Sequence, residues 1–295
     1  MSENQQNKKL ALFREQIDEI DLKILNLLKD RMMVIKDVGE LKKSYNEKFY
    51  IRSNREADMI KNLVNLAEDK FPKSSIINIW RKIITTANMN EQALRIAIHN
   101  PRNITDYTYL VREYYNNDVP IINYDSANSV VAELENQQAQ IGIFALPDSI
   151  DDFDKKEDTK ENWWISLANN RIGLKIFAKI PFVEFAQKDK NSNSIQLVAV
   201  AIKEAEKSSC DKSLITIETS KEISKSAILS ALKEVGLEGK ILKSTQVMQF
   251  DGIKFHLIEL EGFHLENDAV FKKLSQSKIK PFIKVLGHFA QTILI

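Results

Sequence analysis

The chain of 295 residues has one cysteine, six prolines and eight glycines. A lone thiol, Cys210, excludes an internal disulfide and any metal site built from several thiolates. Set in polar Lys-Ser-Ser sequence, it reads as incidental. So little glycine argues against a phosphate-cradling loop, and neither G-x-G-x-x-G nor G-x-x-x-x-G-K occurs. The four histidines, His99, His256, His264 and His288, keep no ligand spacing, and no G-x-S-x-G elbow is present. Nucleotide, metal and serine-hydrolase chemistries therefore lose their support, and no cofactor or metal is expected. No run approaches the ~18 apolar residues of a membrane span. The first nine residues are polar, unlike a signal peptide, so the cytoplasm is the expected location. With 42 basic and 41 acidic residues the net charge is +1, so no global field recruits nucleic acid or a membrane surface.

What the chain does have is helical periodicity over its first ninety residues. Leu10, Phe13, Ile17, Ile20, Ile24, Leu27, Leu28, Met32, Ile35, Val38 and Leu41 recur at helix spacing without a proline. Ser53-Asn54-Arg55-Glu56 has the form of a capping box opening a second helix to about residue 68. Pro72 separates this from a third helix over 73–94. The first helix is about twice the second, so it outruns its partners and leaves apolar surface for another chain to cover.

Charge is placed within that apolar pattern. Arg14, Arg31 and Lys42 ride the first helix, Arg55 and Glu56 open the second, and Asn88 and Gln92 lie one turn apart on the third. Cations and neutral donors without a nucleophile suit holding a small dianion and steadying developing negative charge. Arg31 and Lys42 lie about 16 Å apart on nearly one face, close enough to grip one small molecule. Arg14 is about 25 Å from Arg31 and about 100° round the helix. It is either a surface charge or a contributor to a second subunit's site. On periodicity alone these charges also fit a solvated helix face.

After residue 94 the period changes. Strands at 95–99, 119–123 and 140–145 alternate with helices at 107–115 and 127–137, the pattern of a small α/β layer. Residues 149–161 read as an acidic solvated loop and 188–194 as a polar turn. Trp163-Trp164 reads as a core or interface plug. Strands at 172–185 and 195–202 follow. From 213 the order is βαββαβ, a split-βαβ sandwich with two helices on one face.

The first ninety residues resemble the all-helical chorismate mutases. Residues 12–21, with Arg14 and Asp21, look like that family's L-R-x-x-I-D-x-I-D. Residues 25–31 look like its L-L-x-x-R, residues 38–42 its V-G-x-x-K, and Arg55-Glu56 the R-E of its second helix. Gln92 falls at the family's ether-binding position. The resemblance covers about residues 9–94 and implies a three-helix, intertwined dimer that rearranges chorismate to prephenate. It needs no covalent intermediate or cofactor, only a held conformer and stabilised charge. By resemblance Arg14 of the partner subunit and Arg31 clamp the two carboxylates, Lys42 and Gln92 donate to the ether oxygen, and Glu56 accepts from the ring hydroxyl. Arg55 and Asn88 complete the pocket. Asn88 stands where a small hydroxyl residue is common, and Arg52 where some members carry an acid.

The remainder is similar, more weakly, to the dehydratase and ACT portions of bifunctional chorismate mutase–prephenate dehydratases. Residues 143–149 resemble the I-P-I-E-N-S stretch, 208–214 the entry to the ACT domain, and 285–288 its V-L-G-S. The family's glycine-rich loop is replaced by His99-Asn-Pro-Arg-Asn-Ile-Thr-Asp106, and its Thr-Arg-Phe by something like Lys175-Ile-Phe177 or Lys179-Ile-Pro-Phe182. The stretch 149–175 is too short for a second lobe, so dehydration of prephenate is not expected. In the ACT-like part, 222–228 and 242–245 replace the effector-binding stretches. An aromatic amino-acid effector there and a module kept for dimerisation both stay open. The expected architecture is thus multidomain: a flexible tail over 1–8, an all-α mutase domain over 9–94, a reduced dehydratase-like α/β segment over 95–212 and an α+β ACT-like domain over 213–295. The alternatives are a bifunctional mutase–dehydratase and a non-catalytic amino-acid-sensing regulator.

Overall fold

The structure, a computed structural model, describes residues 3–44, 49–68, 70–147, 162–184, 195–247 and 250–294. The acidic stretch 149–161, the turn 188–194 and positions 148–149 of the I-P-I-E-N-S-like stretch lie outside the described residues. Three helices open the chain: α1 (Glu3–Ser44), α2 (Ser53–Leu66) and α3 (Lys73–Glu91). At 42 residues α1 is about 63 Å long. It begins at Glu3, inside the stretch expected as a tail, because nothing before Gly39 interrupts a run of helix-forming Glu, Gln, Lys and Leu. Gly39 is its one buried residue.

The capping box does not form. The Ser53 hydroxyl instead donates to the Phe177 carbonyl at 2.7 Å, and α2 has no side-chain cap. Docking of α2 onto the rest of the molecule has outcompeted the local cap, and this frees Glu56 to face elsewhere.

The second half is built on one sheet. Its elements are β1 (Ile96–His99), α4 (Thr105–Tyr114), β2 (Ile121–Tyr124), α5 (Ala127–Glu135), β3 (Ile141–Ala145), α6 (Trp163–Ala168), β4 (Leu174–Ile180), β5 (Val183–Glu184) and β6 (Leu197–Ile202). There follow β7 (Asp211–Ser220), α7 (Lys225–Glu234), β8 (Gly239–Thr245), β9 (Ile253–Glu261), α8 (Ala269–Ser275), β10 (Phe282–Ala290) and β11 (Ile293–Leu294). Nine strands run in the order β2-β1-β3-β6-β4-β10-β7-β9-β8, and β11 pairs with β5 in a separate ladder. The strands β2-β1-β3 are parallel, as strand–helix alternation predicts. The last four form the expected βαββαβ unit, each antiparallel to its neighbour.

Two boundaries differ from expectation. The join at 212/213 falls inside β7, and the sheet runs through it where β10 pairs with β4 at Gly287 and Ile176. Nor does the helical part end at 94 as a separate body. Ile60 and Val64 of α2 and Ile77 and Ile84 of α3 share one core with Ile96, Ile143, Phe177 and Leu197 of the sheet. The apolar faces of α2 and α3, too short to cover α1, cover the sheet instead. Trp163 and Trp164 are buried in a second core with Val130 and Leu134 of α5, as a core plug should be.

Candidate active site

The last third of α1, the start of α2 and the end of α3 converge. Gly39 lies against the Glu91 side chain, close enough that a Cβ there would be in ordinary contact with Glu91 Cγ at 3.4 Å. One turn later Lys42 donates to Glu91 Oε2 and to the Tyr50 carbonyl, both at 3.0 Å. An ammonium has three protons, so one N–H is left for another acceptor.

Gln92 leaves α3 with extended backbone. Its Oε1 accepts from the Tyr50 N–H at 3.3 Å, which leaves Nε2 as the outward atom. That amide nitrogen is buried without a hydrogen-bond partner. Arg31 Nη1 is in the same condition. Burial pulls the Arg31 guanidinium below its ordinary pKa, with Glu56 opposing and Arg55 reinforcing the shift, which places both near it. Buried donors lacking acceptors are rare in folded proteins, and a water, an ion or a ligand oxygen would satisfy these two.

Glu56 supplies the acceptor. Asn88 Nδ2 donates to its Oε1 at 3.1 Å and Arg81 Nη1 to its Oε2 at 3.2 Å. Four lone-pair sites less two leave two for a hydroxyl. Arg31, Lys42, Arg55 and Arg81 against Glu56 and Glu91 leave an excess of two positive charges, the complement of a dianion.

The structure thus brings Arg31, Lys42, Arg55, Glu56, Asn88 and Gln92 to one region. Two other named residues stand apart from it, Arg14 as its assignment to the partner subunit's site requires and Arg52 against expectation. Arg14 is exposed on α1, about 25 Å up the helix from Arg31. Arg52, expected beside the substrate, pairs with Glu206, because the turn before α2 is laid against the strand-to-strand link after β6. Sequence reasoning missed Tyr50, Glu91 and Arg81. The signal for Arg81 was available: with Ile77, Ile84 and Asn88 it falls on one stripe of α3 at spacings of four, three and four. A cation on the buried stripe of an amphipathic helix requires a partner.

Beyond the carboxyl ends of β1 and β3 the described residues make contacts of their own. Trp163 stacks on Phe144 at 4.9 Å between centroids and donates to the Ala145 carbonyl at 2.7 Å. The loop after β1 is stitched by Asn100, whose side chain accepts from the Ile104 N–H at 2.8 Å and donates to the Ile104 carbonyl at 3.1 Å. Among the described residues no group of three or more His, Cys, Asp or Glu side chains could hold a metal ion, and no helix is long and apolar enough to cross a membrane.

Comparison with known proteins bears on these observations. Residues 13–92 match the family model for chorismate mutase type II. The bifunctional chorismate mutase/prephenate dehydratase of Aquifex aeolicus is 24% identical over 149 residues, spanning 49% of this chain and 40% of that relative. Among solved structures, prephenate dehydratase from Streptococcus mutans matches at TM-score 0.46 and 17% identity, over 68% of this chain and 100% of that one. The prephenate dehydratase of Arthrobacter aurescens, solved with L-Phe, matches at TM-score 0.46 and 12% identity, over 67% of this chain and 90% of that one.

Proposed function

From the premise that residues 13–92 carry a chorismate mutase type II domain, we propose that this chain rearranges chorismate to prephenate in aromatic amino-acid biosynthesis. The observation that carries the proposal is the pair of buried, unpartnered donors, Arg31 Nη1 and Gln92 Nε2, within a cluster that has two positive charges in excess. A pericyclic rearrangement asks nothing of the protein but a fixed conformer and donors aimed at the growing charge. In this reading Arg31 binds one substrate carboxylate, Lys42 and Gln92 donate to the ether oxygen, and Glu56 accepts from the ring hydroxyl. Arg55 and Asn88 line the pocket, Asn88 by fixing Glu56.

The second carboxylate falls to Arg14 of a second copy. In support, more than half of the exposed large apolar side chains among the described residues lie on α1, Leu10, Phe13, Ile17, Ile20, Ile24 and Leu27 among them. A helix about 63 Å long with that face uncovered needs an equal and opposite helix. The βαββαβ unit, ACT-like in its order, is either a place for an aromatic amino-acid effector or a module kept for dimerisation. Dehydration of prephenate is not part of the proposal: the stretch His99–Asp106 lacks the glycines of the dehydratase loop, and no Thr-Arg-Phe stands within 175–182.

Mixing tests the shared site. Arg14→Ala and Gln92→Ala chains are each expected to be inactive, and their heterodimer to hold one intact site of two. After subunit exchange, activity on chorismate should return to about a quarter of wild type. No recovery, with exchange verified, rejects the assignment.

A further inference from the structure

We propose that Arg81 is a positioning residue for the mutase site, and that the sheet domain holds it in place through Tyr114 and Phe182. The inference rests on the reading of Glu56 as the acceptor for the substrate hydroxyl. Arg81 comes from the helical part, but its surroundings do not. Its guanidinium carbon lies 4.3 Å from the centroid of the Tyr114 ring at the end of α4 and 4.6 Å from that of Phe182, just beyond β4. Its side chain is 5% exposed, and Nε and Nη2 have no hydrogen-bond partner. Glu56 is therefore the one group that both hydrogen-bonds and neutralises this cation among the described residues, at 3.2 Å. Stacking on two rings fixes the plane of a guanidinium, which a lysine in the same place could not offer.

The consequence falls on Glu56. Its rotamer is not fixed by a capping box, since the Ser53 hydroxyl is spent on the Phe177 carbonyl of β4. Arg81 on one carboxylate oxygen and Asn88 on the other determine where the free lone pairs point. The first turn of α2 and the guanidinium are thus both anchored on the sheet domain, the one by Phe177 and the other by Phe182. That gives the sheet domain a role in the mutase reaction without any chemistry of its own. A displaced carboxylate presents its lone pair off line, and misplacement of that kind costs rate steeply.

The test is a double-mutant cycle in the full chain, with kcat and KM for chorismate and Tm measured for each variant. Arg81→Met is expected to lower kcat/KM on the order of 10- to 100-fold, and Arg81→Lys to recover part of the loss by restoring charge without the planar stack. In a Glu56→Gln background the same Arg81→Met change should cost less than about threefold, because the group it positions is gone. Phe182→Leu, which leaves both charges, should cost about three- to tenfold with Glu56 present and none with Gln in its place. It carries the test alone if Arg81→Met does not fold. Equal losses in both backgrounds mean a merely structural role and overturn the proposal, as does wild-type kcat/KM in Arg81→Met. A wild-type chain that makes no prephenate overturns the functional reading as well, which separates the two failures.

Discussion

Gln92→Glu is the sharpest perturbation of the site, because it changes one atom and reverses its hydrogen-bonding sense. In the wild type the Tyr50 N–H fixes Oε1 as the inward acceptor and leaves Nε2 as a buried donor. A carboxylate can still accept from Tyr50, but its second oxygen donates only when protonated. Removing one donor aimed at developing charge costs about 10²- to 10³-fold in rate, or about 3–4 kcal/mol. With an ordinary glutamate pKa of about 4.3, the carboxyl is almost wholly ionised at pH 7.5. Activity relative to wild type should then rise about tenfold per pH unit on acidification, levelling off near pH 4–5. The assay is initial rates of chorismate consumption from pH 8 to 4.5 for wild type, Gln92→Glu and Gln92→Leu. The leucine variant, with no proton to regain, should stay low throughout. A Gln92→Glu enzyme within about threefold of wild type at pH 7.5, or with a flat relative profile, would refute the placement of Nε2 against the reacting oxygen.

Two further predictions concern the scaffold. His256 is buried between Ser244 and Thr219, and burial, reinforced by Lys254 and Lys225, lowers its pKa from 6.5 to about 4. The unfolded chain thus takes up this proton first, so stability is full above pH 6.5 and falls by about 3 kcal/mol as pH drops through 4. Urea melts at pH 7 and 4.5 should show a smaller drop for His256→Gln than for wild type; equal drops would contradict this. Gly287 has φ +148°, and a Cβ there would stand 2.2 Å from the Ile176 carbonyl oxygen, at the pair joining β10 to β4. Gly287→Ala should destabilise by at least about 3 kcal/mol in the same assay, and a loss under about 1 kcal/mol would show that the junction tolerates a side chain.

Much of the secondary structure was legible because periodicity is local. The helix expected at 107–115 is Thr105–Tyr114, and the βαββαβ order from 213 onward holds element for element. Pairing between distant segments leaves no such trace. Nothing local says that Gly287 will meet Ile176, so one sheet was read as two domains. The capping box failed for a related reason: Ser53 found a carbonyl 124 residues away that local sequence could not reveal. The same limit divided the candidate site. Lys42, Glu56, Asn88 and Gln92 stand out as polar residues on apolar helices, and only the family resemblance gave them roles. Glu91 and Tyr50, which hold Lys42 and Gln92, and Tyr114 and Phe182, which flank Arg81, enter only through tertiary contact.

The measurement that bears most directly on the central claim is incubation of the purified chain with chorismate, without added cofactor, quantifying prephenate and phenylpyruvate together. The account predicts prephenate, abolished by Arg31→Ala, and no phenylpyruvate. Absence of prephenate would contradict the mutase assignment, and phenylpyruvate in step with it would contradict the expectation, drawn from the missing glycine loop and Thr-Arg-Phe, that the chain does not dehydrate prephenate.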